Sequence, residues 1–342
     1  MRYLSLLALL GISICLQAQS PLKPDTLRVM FYNVENLFDC KDDTLKDDVE
    51  FLPKGAKEWN HYRYWRKQKG ISRVIAAVGD RRMPALVGLC EVENDSVLSD
   101  LTRRSPLRTT GYDYVMTSSP DERGMDVALL YLPESFRLLS WREIRVNGLG
   151  RPTRNILHAS GMLTTSDTLD VFVCHLPSRR GGIRQSAPSR KQAAHALQFA
   201  IDSLLSIRSV PRIIIMGDFN DELKGATLKE TLHVVQPGEK FPQETGQLLL
   251  DLLGAEKDGS YFYQGKWELI DHLLVSSALL EPANGIHTKP SLARIANFPF
   301  LLEYNTKYGV PQPLRTYLGG HYLGGYSDHL PIVTDIIIPY NP

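Results

Sequence analysis

The chain has 342 residues, of which 43% are hydrophobic and 23% are charged, and its 39 basic and 38 acidic side chains give a net charge of +1. A chain of this length and composition can bury a large core without disulfide staples, as one large α/β domain or two small ones. Because the charges balance, the protein cannot hold nucleic acid by net charge alone, and any such binding has to come from a local patch.

The first residues of the chain predict a secretory signal. A single basic residue precedes an apolar run over residues 4–16, and Ala18 supplies a small residue at a suitable cleavage point. The run is too short to be a spanning helix, so we expect residues 1–18 to be cleaved and residues 19–27 to form a short N-terminal lead. The protein is therefore expected to be exported, to the periplasm or out of the cell, with no transmembrane segment in the mature chain.

The cysteines bear on the same question. Cys15 raises the alternative of a lipid anchor, but Ile14 is bulky where lipid-attachment signals generally have a small residue, so we favour the cleaved signal. Cys40, Cys90 and Cys174 are an odd number for an exported chain, so at least one is free or pairs with another chain. Cys90 and Cys174 end apolar runs and are expected to be buried. The spacing of the three matches no zinc motif, which argues against a cysteine metal site.

Short apolar runs bounded by polar turns recur along the rest of the chain. They are near-continuous rather than alternating, which predicts buried strands at residues 28–32, 85–90, 126–131, 170–174, 212–216, 269–275 and 332–338. Helical spacing of apolar residues is found over residues 59–79 and 189–205. Strands that alternate with helices and hairpins indicate an α/β fold with mixed sheets, and the lack of a repeat or a low-complexity linker predicts one domain over residues 28–342.

Two segments do not fit this scheme. Residues 39–50 are acidic and are expected to form a solvated loop. Residues 281–326 are rich in Pro, Gly and Tyr and are too long for a simple connection, so they predict an irregular functional loop or cap.

Polar side chains follow the apolar runs in a regular way. Each has a structural explanation when taken alone, such as a turn or a cap, but as strand-end residues they are expected to converge on one edge of the sheets. Carboxylate and amide oxygens suit a hard ion such as Mg²⁺ or Mn²⁺ better than zinc, and a histidine beside a carboxylate suits acid-base work. The set predicts metal-assisted phosphoryl transfer, and its members are Asn33, Glu35, Glu91, His175, Asp218, Asn220, Asp271, His272, Asp328 and His329.

In this order the motifs YNVEN, CEVEN, CHLPS, GDFND, IDH and SDHLP resemble those of the endonuclease/exonuclease/phosphatase superfamily. That superfamily includes DNase I-like nucleases, apurinic endonucleases, sphingomyelinases and inositol polyphosphate phosphatases. The resemblance runs from Arg28 to Ile338 and implies a four-layer α/β/β/α sandwich, in which two mixed β-sheets pack face to face with helices outside.

The resemblance also implies a set of metal ligands. Glu91 matches the principal ligand of Mg²⁺ or Mn²⁺, with Asn33 and Glu35 beside it, and Glu35 stands where some members have Asp. Asp328 matches a carboxylate on the metal side.

Five further residues match positions that contact water or phosphate in the superfamily. Asp218 matches the aspartate that orients or deprotonates the attacking water, and Asn220 matches the asparagine that holds the phosphate. His329 matches the histidine that bonds the scissile phosphate or acts as a base. Asp271 matches the aspartate that orients this histidine, and His175 matches a second histidine that faces the phosphate.

Basic residues near these motifs are candidates for binding the substrate. Arg179, Arg180 and Arg184 surround two glycines directly after the CHLPS motif, and we favour an anion clamp there over a solvated loop. Arg154 occupies the place of a phosphate-contacting arginine in some nucleases, and Arg151 is a rival for that role.

Two other features are interpreted as structural. His272 is expected to serve packing or to lie in a second layer behind the site. The aromatic and basic residues 63–69 are interpreted as a packed helix face with a solvated basic side rather than as a nucleic-acid surface.

Substrate choice stays open at this point. The leading hypothesis is a secreted or periplasmic nuclease that cleaves phosphodiester bonds of DNA or RNA by in-line attack of water. The enzyme alternatives are a phosphodiesterase of lipid head groups and an inositol phosphate phosphatase, although no long apolar hairpin that could enter a membrane is present. A non-catalytic binding protein is disfavoured because Glu91, Asp218 and His329 are all retained.

Overall fold

The computed structural model describes residues 25–240, 249–256 and 258–339. The predicted signal over residues 1–18 and the alternative anchor Cys15 lie outside these residues. The predicted lead over residues 19–27 overlaps the first strand, which begins at Asp25. Within the described residues, no helix is both long enough and apolar enough to cross a membrane.

The strands of the described residues follow one another along the chain. They are β1 (Asp25–Leu37), β2 (Leu86–Val92), β3 (Asp113–Met116), β4 (Asp126–Tyr131), β5 (Phe136–Ile144), β6 (Ile156–Leu163), β7 (Thr168–His175), β8 (Ile213–Asp218), β9 (Leu249–Asp251), β10 (Tyr261–Tyr263), β11 (Lys266–Glu268), β12 (Asp271–Ser276), β13 (Arg294–Ile295), β14 (Leu302–Asn305), β15 (Val310–Pro313), β16 (Tyr317–Leu318), β17 (His321–Tyr322) and β18 (Ile332–Ile338).

The helices are fewer. The α-helices are α1 (His61–Gly79), α2 (Asp95–Ser99) and α3 (Ile183–Ile207). Short π-helical turns lie at Asp100–Arg104 and Thr227–Thr231. Short 3₁₀ turns lie at Val49–Phe51, Pro106–Thr109, Ser277–Leu279, Pro282–Asn284, Pro290–Leu292 and Pro299–Leu301.

Two six-stranded sheets form the centre of the fold. The first has the order β13-β18-β1-β2-β4-β3 and the second has the order β5-β6-β7-β8-β12-β9. Both are mixed, because β1 pairs with β2 and β7 pairs with β8 in parallel while the other neighbours are antiparallel. The seven predicted strands overlap β1, β2, β4, β7, β8, β12 and β18, and the two predicted helices overlap α1 and α3.

The layers follow from which face of each strand is covered. Alternate residues of β1 point to opposite sides, so that Phe31 packs in the core between the sheets while Met30 packs with residues of α1. Helix α3 covers the outer face of the second sheet, where Leu197 lies in one cluster with Phe172. Strands covered on both faces need continuous apolar sequence, and the result is the predicted α/β/β/α sandwich.

The segments that did not fit the strand scheme are irregular. Residues 281–326 contain 3₁₀ turns, the edge strand β13 and the two hairpins β14–β15 and β16–β17. Residues 39–50 form a loop in which Asp48 is buried. Cys90 and Cys174 are buried as predicted, and Cys40, Cys90 and Cys174 form no disulfide among the described residues.

Candidate active site

The ends of three neighbouring strands bring polar side chains together. In the parallel pair β7–β8, His175 lies opposite Asp218, and in the antiparallel pair β8–β12, Asp271 lies opposite the same residue. In the facing sheet, the parallel register of β1 and β2 sets Asn33 opposite Cys90, one residue before Glu91. Strand register therefore assembles this edge from five motifs of the sequence, as the strand-end pattern predicts.

His329 is held by both its backbone and its ring. Its Nδ1 lies 2.7 Å from Asp271 Oδ2, and Ser260 donates a hydrogen bond of 2.5 Å to the same carboxylate oxygen. Its backbone N–H donates to Ser327 Oγ at 3.0 Å, and the Ser327 hydroxyl in turn donates to the carbonyl of Asn33. The remaining ring nitrogen, Nε2, lies 3.8 Å from Asp218 Oδ2.

The charge state of His329 depends on these carboxylates. Burial disfavours the imidazolium, but the negative charge of Asp271, its hydrogen bond and the charge of Asp218 together raise the pKa of His329 to about 10. The ring is therefore protonated at neutral pH and can donate a hydrogen bond to an anionic group.

Asp218 lies at the centre of the cluster. Its Oδ1 accepts the backbone N–H of Asn220 at 2.8 Å, and its Oδ2 accepts the amide of Asn33 at 3.2 Å. His175 Nε2 is 3.7 Å from the same Oδ2. Burial, followed by the charge of Asp271, raises the pKa of Asp218 to about 7, so this carboxylate can accept a proton near neutral pH.

Glu91 reaches the cluster through an unusual backbone conformation. Its φ of 63° and that of Asn220, 50°, lie in the left-handed region that non-glycine residues rarely adopt. Glu91 Oε1 accepts the amide of Asn33 at 3.3 Å, and Oε2 accepts the backbone N–H of Asn36 at 3.0 Å. Strained residues of this kind persist where the surroundings fix them and cluster at functional sites.

The donor set fits a hard divalent cation. Asp218, Asp271 and His329 offer ligand atoms within 4.8 Å of one another, but Asp271 and His329 direct theirs at each other. The oxygens of Glu91 could hold such a cation, because carboxylates suit Mg²⁺ and Mn²⁺. Asn33 lies beside it but presents its amide nitrogen to Glu91 and Asp218, and its Oδ1 accepts the N–H of Glu35 at 3.0 Å.

Glu35 and Asp328, the other two expected metal ligands, lie beside the guanidinium of Arg315. The buried carboxylate of Glu35 accepts the backbone N–H of Thr316 at 2.6 Å and that of Tyr317 at 3.4 Å. Arg315 Nε lies 3.8 Å from Glu35 Oε1, and its Nη2 forms an ion pair with Asp328. The structure thus brings Asn33 and Glu91 together and joins Glu35 and Asp328 through Arg315.

Arg154 is built into the fold rather than exposed to a substrate. Its side chain is buried and donates to the backbone carbonyls of His175 at 3.2 Å and Leu176 at 2.7 Å. It also contacts Asp121 at 3.3 Å. The resemblance implies a phosphate contact for Arg154, as in some nucleases. In the structure its guanidinium instead joins the carbonyls at the end of β7 to the carboxylate of Asp121. Its rival Arg151 is exposed on the surface.

A cleft of about 690 Å³ opens over this cluster. Its lining includes the acidic and polar residues Glu91, His175, Asp218, Asn220, Asp328 and His329 and the basic residues Arg123, Arg179, Arg180 and Lys266.

The arginines of the basic loop differ in position. Arg179 is tied down, since it donates to the backbone carbonyl of Asn220 at 2.8 Å and to Glu268 at 2.6 Å. Arg180 is exposed and lines the cleft, whereas Arg184 is exposed but is not among the residues that line it.

Several residues of the site carry no signal in the sequence. Ser260, Arg123, Arg315 and Tyr261 follow no apolar strand, and their role depends on contacts that only folding creates. The ring of Tyr261 lies 4.7 Å from that of His329, measured between centroids.

His272 is buried away from the cluster. Its ring nitrogens contact Asp251 at 2.7 Å and the carbonyl of Asp221 at 2.9 Å, consistent with the packing role that the sequence suggests.

A comparison with family models gives one match. The model of the endonuclease/exonuclease/phosphatase family matches residues 28–337. No curated protein matches the sequence significantly.

Solved structures resemble the chain in fold. An endonuclease/exonuclease/phosphatase family protein from Bacteroides thetaiotaomicron has a TM-score of 0.60 at 14% identity, covering 93% of this chain and 100% of its own. A mannosyl-6-phosphatase from Bacteroides thetaiotaomicron has a TM-score of 0.58 at 16% identity, covering 91% and 100%. D. rerio TDP2 complexed with a single-strand DNA product has a TM-score of 0.54 at 16% identity, covering 91% and 98%.

Proposed function

Because the chain belongs to the endonuclease/exonuclease/phosphatase family, we propose that it is a divalent-metal-dependent phosphodiester hydrolase that acts on DNA or RNA. The observation that carries the proposal is the buried cluster in which Asp218 and His329 face each other, 3.8 Å apart, in a cleft that basic residues also line.

In the proposed reaction Asp218 receives a proton from the attacking water. Its pKa, raised to about 7 by burial and by the charge of Asp271, matches the working pH of a general base. The bond from Asn220 N–H to Oδ1 fixes the carboxylate and leaves Oδ2 to face the site. Positioning of the water matters because an anionic phosphate resists attack by a free nucleophile.

His329 and its neighbours stabilise the phosphate. Protonated His329 directs Nε2 into the site while Asp271 holds Nδ1, so charge that develops on a phosphate oxygen meets a fixed donor. Asn220 donates one amide hydrogen to the carbonyl of Leu176 at 3.1 Å, which leaves the other free to bond a substrate oxygen. His175 presents its Nε2 to the same Asp218 oxygen, Oδ2, at 3.7 Å.

Glu91 would hold Mg²⁺ or Mn²⁺ beside these residues, and Asn33 would donate its amide hydrogens to the carboxylates of Glu91 and Asp218. When bound, such an ion neutralises negative charge on the phosphate oxygens.

The basic residues that line the cleft favour a polyanionic substrate. Arg123, Arg180 and Lys266 line the cleft, so a strand of linked phosphates can be contacted at more than one position. This local patch supplies the attraction that the balanced net charge does not.

A substrate panel tests the proposal. The purified protein is incubated with single-stranded DNA, duplex DNA, RNA, sphingomyelin or inositol phosphates, with Mg²⁺, with Mn²⁺ or with EDTA. We expect hydrolysis of a nucleic acid that requires the metal and is lost in Asp218→Asn. Hydrolysis of sphingomyelin or inositol phosphates alone would replace the substrate class, and no hydrolysis of any substrate would overturn the proposal.

A further inference from the structure

Residues of the β10–β11 hairpin line the cleft, and a tight turn joins the two strands. Its two-residue turn, Gln264 and Gly265, has φ values of 47° and 85°, the combination that tight two-residue hairpins favour. Beneath the turn, a Cβ on Gly265 would lie 2.7 Å from the ring of Tyr308, so the hairpin sits directly on that side chain. The turn therefore fixes the register of the residues on both strands.

Alternation along β10 divides its aromatic residues between two faces. Phe262 points inward and packs against Trp267 and Tyr308, with ring centroids 5.4 and 6.0 Å apart. Tyr261 and Tyr263 point the other way and line the cleft. Phe262 thus supplies the packing beneath the hairpin, and the two tyrosine rings lie on the face that is open to the cleft.

Two tyrosine rings follow one another away from His329. The Tyr261 ring lies 4.7 Å from that of His329, and the Tyr263 ring lies 6.2 Å from that of Tyr261 at an interplanar angle of only 12°. Tyr263 is 51% exposed. A nearly parallel, half-exposed pair of this kind presents a flat apolar face to whatever enters the cleft.

The distance from this pair to the reacting centre is fixed by hydrogen bonds. Leu330 N–H donates to the carbonyl of Ser260 at 2.7 Å, which joins the start of the hairpin to the segment of His329. At the other end, Glu268 accepts from Arg179 at 2.6 Å, and the same arginine bonds the carbonyl of Asn220. The hairpin is thus attached to both sides of the proposed phosphate site.

We propose that Tyr261 and Tyr263 form a stacking platform for the base of an unpaired nucleotide adjacent to the scissile phosphate. This inference rests on the proposed function and names its substrate class as single-stranded nucleic acid. Bases offer a π-face on an anionic backbone, which matches tyrosines beside Arg123, Arg180 and Lys266. In a duplex the bases are already stacked on one another, so only an unpaired base is free to use the platform.

The test compares Tyr263→Ala and Tyr263→Phe with the wild type on a single-stranded oligonucleotide. Tyr62→Ala is the matched control, since Tyr62 is 72% exposed on α1 and is not among the residues that line the cleft. We expect Tyr263→Ala to raise KM about tenfold with little change in kcat, because stacking on one aromatic contributes about that much to affinity. Tyr263→Phe retains the ring and should stay near the wild type, as should Tyr62→Ala.

Substrates in which one base at a time is replaced by an abasic site give the sharper readout. At one position near the cleavage site, removing the base should raise the KM of the wild type about tenfold and leave the KM of Tyr263→Ala unchanged. If the effects of base removal and of Tyr263→Ala on KM are additive in free energy, the proposed platform is wrong. The same holds if Tyr62→Ala raises KM as much as Tyr263→Ala does.

Binding distinguishes this failure from failure of the proposed function. Anisotropy of a fluorescent single strand with Asp218→Asn measures affinity without cleavage. A wild type that cleaves single strands while Tyr263→Ala is unchanged overturns the platform alone. A wild type that neither cleaves nor binds nucleic acid overturns both.

Discussion

His329 Nδ1 lies 2.7 Å from Asp271 Oδ2, although the two residues are 58 positions apart in the chain. The contact fixes the ring orientation and directs Nε2 at Asp218. A second pair, His272 Nδ1 and Asp251 Oδ2, joins β12 and β9 with the same separation of 2.7 Å but lies away from the cleft. The His272–Asp251 pair can therefore serve as a structural control for the His329–Asp271 pair.

Asp271→Asn should lower kcat by about 10²–10⁴-fold, as loss of the carboxylate behind a catalytic histidine does elsewhere. Without that charge the pKa of His329 falls from about 10 towards its usual range. Since the protonated ring is the active form, activity should be lost at a lower alkaline pH than in the wild type. Asp251→Asn removes the equivalent partner of His272 and should leave the alkaline limb in place. An unmoved limb in Asp271→Asn would argue against an orienting and charging role.

The acid limb of the pH profile should report Asp218. Burial and the charge of Asp271 raise its pKa to about 7, and the deprotonated form is the one that accepts a proton from water. Activity should therefore increase as the pH rises through about 7 and decrease below it. The measurement is kcat/KM against pH at a low, fixed metal concentration, because a bound cation favours the carboxylate and moves the limb to lower pH. A flat profile between about pH 5 and 8 would remove Asp218 from the role of base.

Glu35→Gln and Glu91→Gln separate a structural carboxylate from a metal ligand. Glu35 is occupied by the N–H groups of Thr316 and Tyr317 and by Arg315, whereas Glu91 lines the cleft. Calorimetric titration with Mn²⁺ should show affinity reduced by about 100-fold or more in Glu91→Gln and nearly unchanged in Glu35→Gln. Equal losses in the two variants would return Glu35 to the coordination sphere.

Arg154→Ala should destabilise the fold. The guanidinium is buried and holds the carbonyls of His175 and Leu176 and the carboxylate of Asp121. Its loss removes the guanidinium donor from the His175 carbonyl and from Asp121 and leaves the Leu176 carbonyl with Asn220 alone, at a cost of about 3 kcal/mol in the free energy of unfolding. Urea denaturation measures this value, and Arg184→Ala, on an exposed side chain, should change it little. A variant of normal stability with a raised KM would instead support a phosphate contact.

These contrasts show how far the sequence predicts the site. Continuous apolar runs identify the strands, and polar residues directly after them identify Asn33, Glu91, His175 and Asp218, because strand register determines which strand ends meet. The position of Glu35 cannot be predicted in this way. Its partners lie 281 and 282 positions later, in a segment without periodic pattern, and the left-handed turn at its own backbone sets its direction.

Arg154 and the tyrosine platform illustrate the same limit. The position of an arginine in a motif does not show whether its side chain faces solvent or donates hydrogen bonds to carbonyls at the end of a strand. The stacking of Tyr261 and Tyr263 depends on a three-residue strand, which is too short for its alternation to stand out from a loop.

The most direct test of the account is single-turnover hydrolysis of single-stranded DNA with Mg²⁺ by Asp218→Asn, His329→Ala and the double variant. If the two residues act as one unit, each single variant should lose about 10³-fold or more in rate, and the double variant should lose little beyond the worse single one. Circular dichroism should show an unchanged fold in all three. Near-wild-type turnover in either single variant, or losses that simply multiply, would contradict a site built on Asp218 and His329.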